Sequence, residues 1–253
     1  TEPNKRAQKI EQLLASPDHA DYFAGKWAAI LRNKRAKPEH ARGSLAFHQW
    51  LRNAIYNNQP YHQIAREFLT ASGETGTNPP VVWYRTVRES KDQLENVAQV
   101  FLGVRMQCAQ CHHHPYEKWS EDDYYGLQAF FSRITRKPGL QPGEETVLHN
   151  RGQATSKNPR TGKTLKPKPL GGEELTIPSY EDPREHLADW MINPANPFFA
   201  KMLVNRYWKH FFGRGLVDPE DDLRVTNPAT HPELLKGLAS DFIANGYDLK
   251  RLI

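Results

Sequence analysis

The sequence predicts a mainly α-helical protein that carries a small β-hairpin or irregular insertion. Through residues 1–134, apolar side chains recur at helical spacing. Between residues 135 and 182 this spacing disappears, and Pro, Gly, Lys and Arg dominate. Helical spacing returns after Pro183. We therefore expect a helical domain (1–134), a basic Pro/Gly-rich insertion or flap (135–182), and a C-terminal helical domain packed on the first (183–253).

Helices in the first segment are predicted from apolar residues three and four positions apart. One contains Phe23, Trp27 and Leu31, a second covers residues 47–55, and a third covers residues 94–105. The third is expected to end just before the most informative motif of the chain.

That motif is Cys108-Ala109-Gln110-Cys111-His112, which contains the only two cysteines of the sequence. The C-x-x-C-H pattern is the attachment signature of c-type haem. In a helical turn, Cys108 and Cys111 lie on one face, where they could bind the two vinyl groups of a porphyrin. His112 could then serve as the proximal iron ligand. The pattern predicts one covalent haem c.

Two other readings of the cysteines stay open. They could form a plain dithiol or a redox disulfide, as many C-x-x-C pairs do. They could also bind zinc together with His112, His113 or His114. A zinc site of this class usually has a second ligand pair elsewhere, and the sequence has no further cysteine and no H-x-x-x-H pair at finger spacing.

The motif is expected in a tight bend between two helices. Pro115 takes the chain out of helical geometry, and Ser120 has the character of an N-cap for the next helix. Trp119 and Tyr124 are candidate apolar walls for the porphyrin, although ordinary core packing explains them equally well. His114 is expected to bind a propionate or a backbone group, or to support His112.

The insertion and the last segment contain short signals. Residues 146–148 favour a strand, and residues 158–163 read as the turn of a small hairpin. The basic residues of the insertion form either a cationic rim for an acidic redox partner or a solvated loop. Farther on, Asn196 is expected to cap a helix that ends at Gly213.

A second axial iron ligand would have to come from a distant part of the chain. His210 is the first candidate, because it follows Leu203 and Tyr207 on one helical stripe and should point inward. His149 is the second candidate, from a loop that could fold over the open face, and His48 is the third. A five-coordinate iron is the alternative.

Composition restricts the class of protein. The net charge is +5, but no predicted helix has Lys and Arg on one face without compensating acids, so nucleic-acid binding is not expected. No apolar run is long enough to cross a bilayer, and because a polar helix is predicted directly after Thr1, no signal peptide is expected there. The apolar end at Ile253 is expected to be a truncation inside a longer protein. No G-x-S-x-G, phosphate-loop or H-E-x-x-H motif occurs.

Two longer stretches resemble a known pair of domains. Residues 101–119 and 123–126 resemble the planctomycete-specific cytochrome-type family of large secreted proteins. Residues 196–200, 204–208, 212–217 and 221–224 resemble its companion planctomycete-specific domain. The resemblance implies that Cys108, Cys111 and His112 bind haem, and His114 falls on a recurring family position. It also implies a frequent connection to a conventional cytochrome c-like domain.

The leading hypothesis is a periplasmic or extracellular c-type cytochrome domain, for which electron transfer is favoured over catalysis. Its partner would be a redox protein or a neighbouring cytochrome domain of the same longer chain. One alternative is a haem enzyme with an open iron site, acting on peroxide or a polymer-derived substrate. Another is a binding module stabilised by zinc or a disulfide, without haem.

Overall fold

The computed structural model describes residues 4–253, so Thr1 and the expectation attached to it lie outside the described residues. The fold is mainly helical, as predicted. The α-helices are α1 (Lys5–Leu14), α2 (Pro17–Ile30), α3 (Ala41–Tyr56), α4 (Tyr61–Leu69), α5 (Val82–Thr86), α6 (Ser90–Val97), α7 (Glu121–Ala129), α8 (Pro183–Ile192), α9 (Phe199–Phe212), α10 (Pro232–Ala244) and α11 (Leu249–Leu252). No helix in the described range is both long and apolar enough to cross a membrane.

The insertion contains two short antiparallel sheets. Strand β1 (Ile134–Pro138) pairs with β2 (Glu145–His149), and β3 (Ser156–Lys157) pairs with β4 (Thr164–Leu165). The strand predicted at residues 146–148 and the hairpin turn predicted at residues 158–163 are both confirmed. The Asn158 side chain shapes the turn, because its Oδ1 accepts hydrogen bonds from the backbone N–H groups of Arg160 (3.0 Å) and Thr161 (3.3 Å).

Helix boundaries follow local capping chemistry. Ser120 and Asp123 form a capping box at the start of α7, which confirms the predicted N-cap. Gly213 ends α9 in the left-handed conformation, also as predicted. The Asn196 side chain does accept backbone hydrogen bonds from Phe198 and Phe199, but α9 begins only at Phe199, later than expected.

The helix predicted over residues 94–105 is too long. After α6 the chain makes a π-helical turn (Ala98–Leu102), and Gly103 then stops it with φ +65°. A Cβ on Gly103 would lie 2.7 Å from Leu223 Cγ and 2.9 Å from Met202 Sδ. The Leu223 backbone N–H donates to the Gly103 carbonyl oxygen at 2.8 Å. A glycine is required here because the C-terminal segment packs directly against the backbone.

A continuous apolar core runs through the first and last segments. Tyr61 at the start of α4 stacks on Phe199 at the start of α9, with ring centres 4.9 Å apart and planes at 17°. Arg184 of α8 is fully buried; it pairs with Asp182 at 2.6 Å and donates to the Ala71 carbonyl oxygen at 2.8 Å. The predicted division into three domains stays a prediction. One apolar core contains residues from both helical segments.

Candidate functional site

The two cysteines emerge from a 3₁₀ turn (Gln107–Gln110) between the π-helical turn and α7. Such a turn has three residues per turn, so side chains at i and i+3 lie one above the other. Met106 and Ala109 are fully buried, whereas Cys108 and Cys111 are exposed and present as free thiols. The buried residues hold the turn against the core while both sulfur atoms face solvent.

His112 follows the turn and is also exposed. Its Nδ1 lies 2.6 Å from the backbone carbonyl oxygen of His113. Because a carbonyl oxygen only accepts, this contact requires the proton to be on Nδ1. The tautomer leaves the lone pair on Nε2, which is the arrangement of a histidine ready to bind a metal through Nε2.

His114, in contrast, is buried in the loop that follows. Its backbone N–H donates to the Trp119 carbonyl oxygen at 3.0 Å, and its Nδ1 accepts from the Tyr116 backbone N–H at 3.2 Å. These two hydrogen bonds of His114 close the loop that residues 114–119 form. The predicted role beside the porphyrin stays a prediction, since His114 does not line the cleft next to the cysteines.

The two expected apolar walls, Trp119 and Tyr124, lie in the core instead. The Trp119 ring packs edge-on against Phe198 at 6.3 Å between ring centres. The Tyr124 hydroxyl donates to Glu95 Oε1 at 2.8 Å, and burial raises the pKa of this hydroxyl. Trp119, just before α7, and Tyr124, on the inner face of α7, both point towards the protein interior, which is the ordinary-packing alternative that the sequence also allowed.

A cleft of about 460 Å³ opens beside the motif. All of its lining residues have polar or titratable side chains, and they come from the motif, the start of α7 and the β3–β4 hairpin: Cys111, His112, His113, Ser120, Glu121, Asp122, Arg160 and Thr161. Cys108 lies outside this lining. The hairpin of the insertion therefore forms one wall of the cleft, which the sequence did not predict.

Three consecutive acids at the start of α7 hold that hairpin. Each pairs with one cation of the insertion: Glu121 with Arg160 at 2.7 Å, Asp122 with Lys163 at 2.6 Å, and Asp123 with Lys168 at 2.9 Å. The basic residues of these pairs are neither a free cationic rim nor a purely solvated loop.

The pairing favours the charged forms of Glu121 and Asp123. The hydrogen bond from Arg160 lowers the pKa of Glu121. Burial raises the pKa of Asp123, but hydrogen bonds from Ser120 and Lys168 outweigh this effect and leave it lowered. One wall of the cleft thus consists of ion pairs.

Two family models match separate parts of the chain. The model of the PSCyt2 family, described as a protein of unknown function (DUF1549), matches residues 1–136. The chain belongs to the PSCyt2 family. The model of the PSD1 family, also described as a protein of unknown function (DUF1553), matches residues 183–253. These are the planctomycete cytochrome-type domain and its companion domain that the sequence resembles. No curated protein and no solved structure matches the chain.

Residues of the PSD1 segment form hydrogen bonds with the chain just before and just after the two cysteines. Asp221 accepts hydrogen bonds from Arg105 at 2.5 Å and Gln99 at 2.6 Å, just before the cysteines. The Val225 backbone N–H donates to Glu117 Oε1 at 2.9 Å, just after them. The adjacent acids at 221 and 222 both form ion pairs with Arg105.

None of the three predicted distal histidines lines the cleft of this PSCyt2 chain. His210 lies against α2, with its ring 5.5 Å from Phe23, and belongs to a different cavity. The predicted stripe of Leu203, Tyr207 and His210 on α9 does point inward, but His210 contacts α2 and not the cysteine cleft. His149 is on β2 opposite Ile134, and its enclosed Nε2 has no hydrogen-bond partner. His48 is half-buried on α3. The distal ligand stays a prediction.

The donor set of the turn fits covalent haem attachment, and the cleft fits it less well. Two free thiols three residues apart, followed by an imidazole with a free Nε2, are the groups that attachment needs. The neighbouring walls carry charged side chains, and the described residues contain no group of three or more His, Cys, Asp or Glu side chains arranged to bind a metal ion. The site is therefore best described as an exposed turn with two thiols beside a cleft with charged walls.

Proposed function

We propose that this PSCyt2 chain is a c-type cytochrome domain that carries one covalent haem and transfers electrons. The observation that supports this most strongly is the exposed 3₁₀ turn, on which Cys108 and Cys111 face solvent and His112 keeps Nε2 free. When bound, haem c would supply one-electron redox chemistry. Cys108 and Cys111 would hold its edge, and His112 would bind its iron.

The residues around the turn determine how a partner could approach. Exposed cysteines place the attachment edge at the protein surface, which favours electron transfer to a protein that docks there. Exposure to solvent is also one of the factors that set the reduction potential of a haem. We propose a redox partner protein, or a cytochrome domain of the same longer chain, in the periplasm or outside the cell.

A second candidate is a haem enzyme with an open iron site, acting on peroxide or a polymer-derived substrate. It is favoured by the polar cleft next to His112, which brings His113, Glu121 and Arg160 close to that residue. Such groups can donate or accept protons near a reacting ligand. Electron transfer and open-site chemistry differ in whether a small ligand reaches the iron.

The decisive experiment uses the chain expressed with haem-maturation machinery. We expect an intact mass increased by one haem and a covalent haemochrome spectrum. Replacing both Cys108 and Cys111 with Ala should remove the mass increase, whereas His231→Ala, an exposed control, should keep it. A matured preparation of unchanged mass, with zinc or a disulfide at the two cysteines, would support the binding module in place of haem.

A spectrum then separates the two haem functions. Low-spin iron that resists cyanide and carbon monoxide fits electron transfer. High-spin iron that binds either ligand rapidly fits the open site.

A further inference from the structure

A second cavity, of about 430 Å³, lies between α5, strand β1 and the loops near residues 37–40 and 143–145. It is separate from the cysteine cleft and shares no lining residue with it. Basic side chains dominate its lining: Lys37, Arg85, Arg88, Arg136 and Lys137. Its carboxylates are Glu39, Glu144 and Glu145.

Ion pairs occupy two of the three carboxylates. Arg88 contacts both oxygens of Glu145, at 2.9 and 3.1 Å, and Arg42 lies 3.4 Å from Glu144. The third, Glu39, is exposed to solvent. Within residues 4–253, no carboxylate oxygen lies within 4.0 Å of the other four cations of the lining, which are Lys37, Arg85, Arg136 and Lys137.

Arg85 is the least satisfied of these cations. Its Nη1 is enclosed by protein and makes no hydrogen bond, while its Nη2 makes only long contacts, to Ser44 Oγ (3.3 Å) and the Lys34 carbonyl oxygen (3.4 Å). A Cβ at Gly43 would lie 2.8 Å from Nη1, so the glycine allows the guanidinium to lie against α3. An enclosed charged donor without a partner is costly.

Arg136 lies in the same cavity and is held by backbone carbonyls. Its Nε donates to the Tyr84 carbonyl oxygen at 3.0 Å, and its Nη2 donates to the Arg88 carbonyl oxygen. These bonds fix the guanidinium in place, but neutral acceptors do not cancel its charge. Burial lowers the pKa of both Arg85 and Arg136, as expected for cations that lack a close anion.

We propose that this cavity binds a tetrahedral oxyanion, the phosphate or sulfate group of a ligand, between Arg85 and Arg136. Guanidinium groups bind such oxygens through paired N–H donors. The cations come from three separate parts of the chain, namely the loop at residue 37, α5 and β1. A tetrahedral anion presents oxygens in several directions and can meet all three, whereas a carboxylate has two oxygens in one plane.

The first test measures Tm of the full chain in a low-salt buffer with added sodium sulfate or sodium phosphate. Sulfate or phosphate at roughly ten times its Kd should raise Tm by about 3–5 °C. The larger of the two responses identifies the kind of ester the cavity prefers. An equal rise with sodium chloride at the same ionic strength, or with sodium acetate, overturns the proposal.

The second test uses Arg85→Met, which removes the unpaired cation and keeps an unbranched side chain. We expect Tm to rise in the anion-free buffer, because a costly enclosed charge is gone, and the response to sulfate to disappear. Arg251→Met is the matched control on an exposed arginine, and it should keep the full response.

A third variant covers the case in which Arg85→Met does not fold. Lys137→Gln changes an exposed side chain of the same cavity and should weaken sulfate binding several-fold. A sulfate response that persists unchanged in every foldable variant overturns the proposal.

Discussion

Arg160 contacts both carboxylate oxygens of Glu121, with its Nε 2.8 Å from Oε1 and 2.8 Å from Oε2. The arginine is mostly exposed, whereas only 6% of the Glu121 side chain is exposed. This pair connects the β3–β4 hairpin to the start of α7, directly beside Cys111 and His112. The wall of the cysteine cleft therefore depends on a residue 39 positions away in the sequence.

The first prediction concerns this wall. Arg160→Met leaves the enclosed Glu121 carboxylate without its cation, so the hairpin should detach more often from α7. We expect faster backbone hydrogen exchange over residues 156–165, measured by mass spectrometry. Lys157→Met is the control, because Lys157 is exposed and forms no ion pair among the described residues. Equal exchange in both variants would show that the pair does not hold the hairpin.

The second prediction separates the two adjacent histidines of the cleft. In the matured protein, His112→Ala should keep the covalent mass increase, because both cysteines remain. It should change the visible spectrum, because the proposed iron ligand is lost. His113→Ala should keep the spectrum of the parent protein, since the hydrogen bond to His112 uses the backbone carbonyl of His113, which the variant retains. If His113→Ala gives the larger spectral change, the assignment of the ligand to His112 is wrong.

The third prediction concerns Gly103, which has positive φ and lies against Leu223 and Met202. Gly103→Ala combines an unfavourable backbone conformation with a clash in the core. It should lower the free energy of unfolding by about 2–4 kcal/mol, measured by urea titration. Gly162→Ala is the matched control: φ is +72° there, but the added Cβ meets open space. It should cost only about 1 kcal/mol, and an equal loss in both variants would exclude the clash.

The fourth prediction concerns acid stability at Asp221. Burial raises the pKa of Asp221, but hydrogen bonds from Arg105 and Gln99 lower it by more, so the folded-state pKa is below the usual value of about 3.9. The stabilisation is present above pH ~4 and is lost as the pH falls through the lowered pKa. Asp221→Asn should lower stability at neutral pH and make the decline below pH ~4 shallower, measured by urea titrations from pH 3 to 7. An unchanged acid slope would contradict this assignment.

Local signals in the sequence predicted the fold class and several boundaries. The capping box at Ser120, the stop at Gly213 and the turn at residues 158–163 all depend on neighbouring residues, which the sequence displays directly. The helix predicted to continue to residue 105 ended at Gly103. The stop became understandable only once Leu223 was seen to pack on its backbone.

Long-range pairing could not be predicted in the same way. Periodicity indicated that His210 points inward, but not that the element it meets is α2. The charges of Glu121 and Arg160 were visible, yet nothing local connects them. Arg184 is fully buried against Ala71 and Tyr84, and no local pattern around it indicates these partners. Residue type and spacing do not specify the partner of a buried face.

The stacking of Tyr61 on Phe199 bears on how this chain could evolve. The Tyr61 ring and the Phe199 ring cover each other. Tyr61 lies in the segment that matches PSCyt2, and Phe199 lies in the segment that matches PSD1. Cutting the gene between the two would expose flat aromatic surfaces that favour aggregation. Recombination that separates the two segments of this chain is therefore expected to lower its solubility.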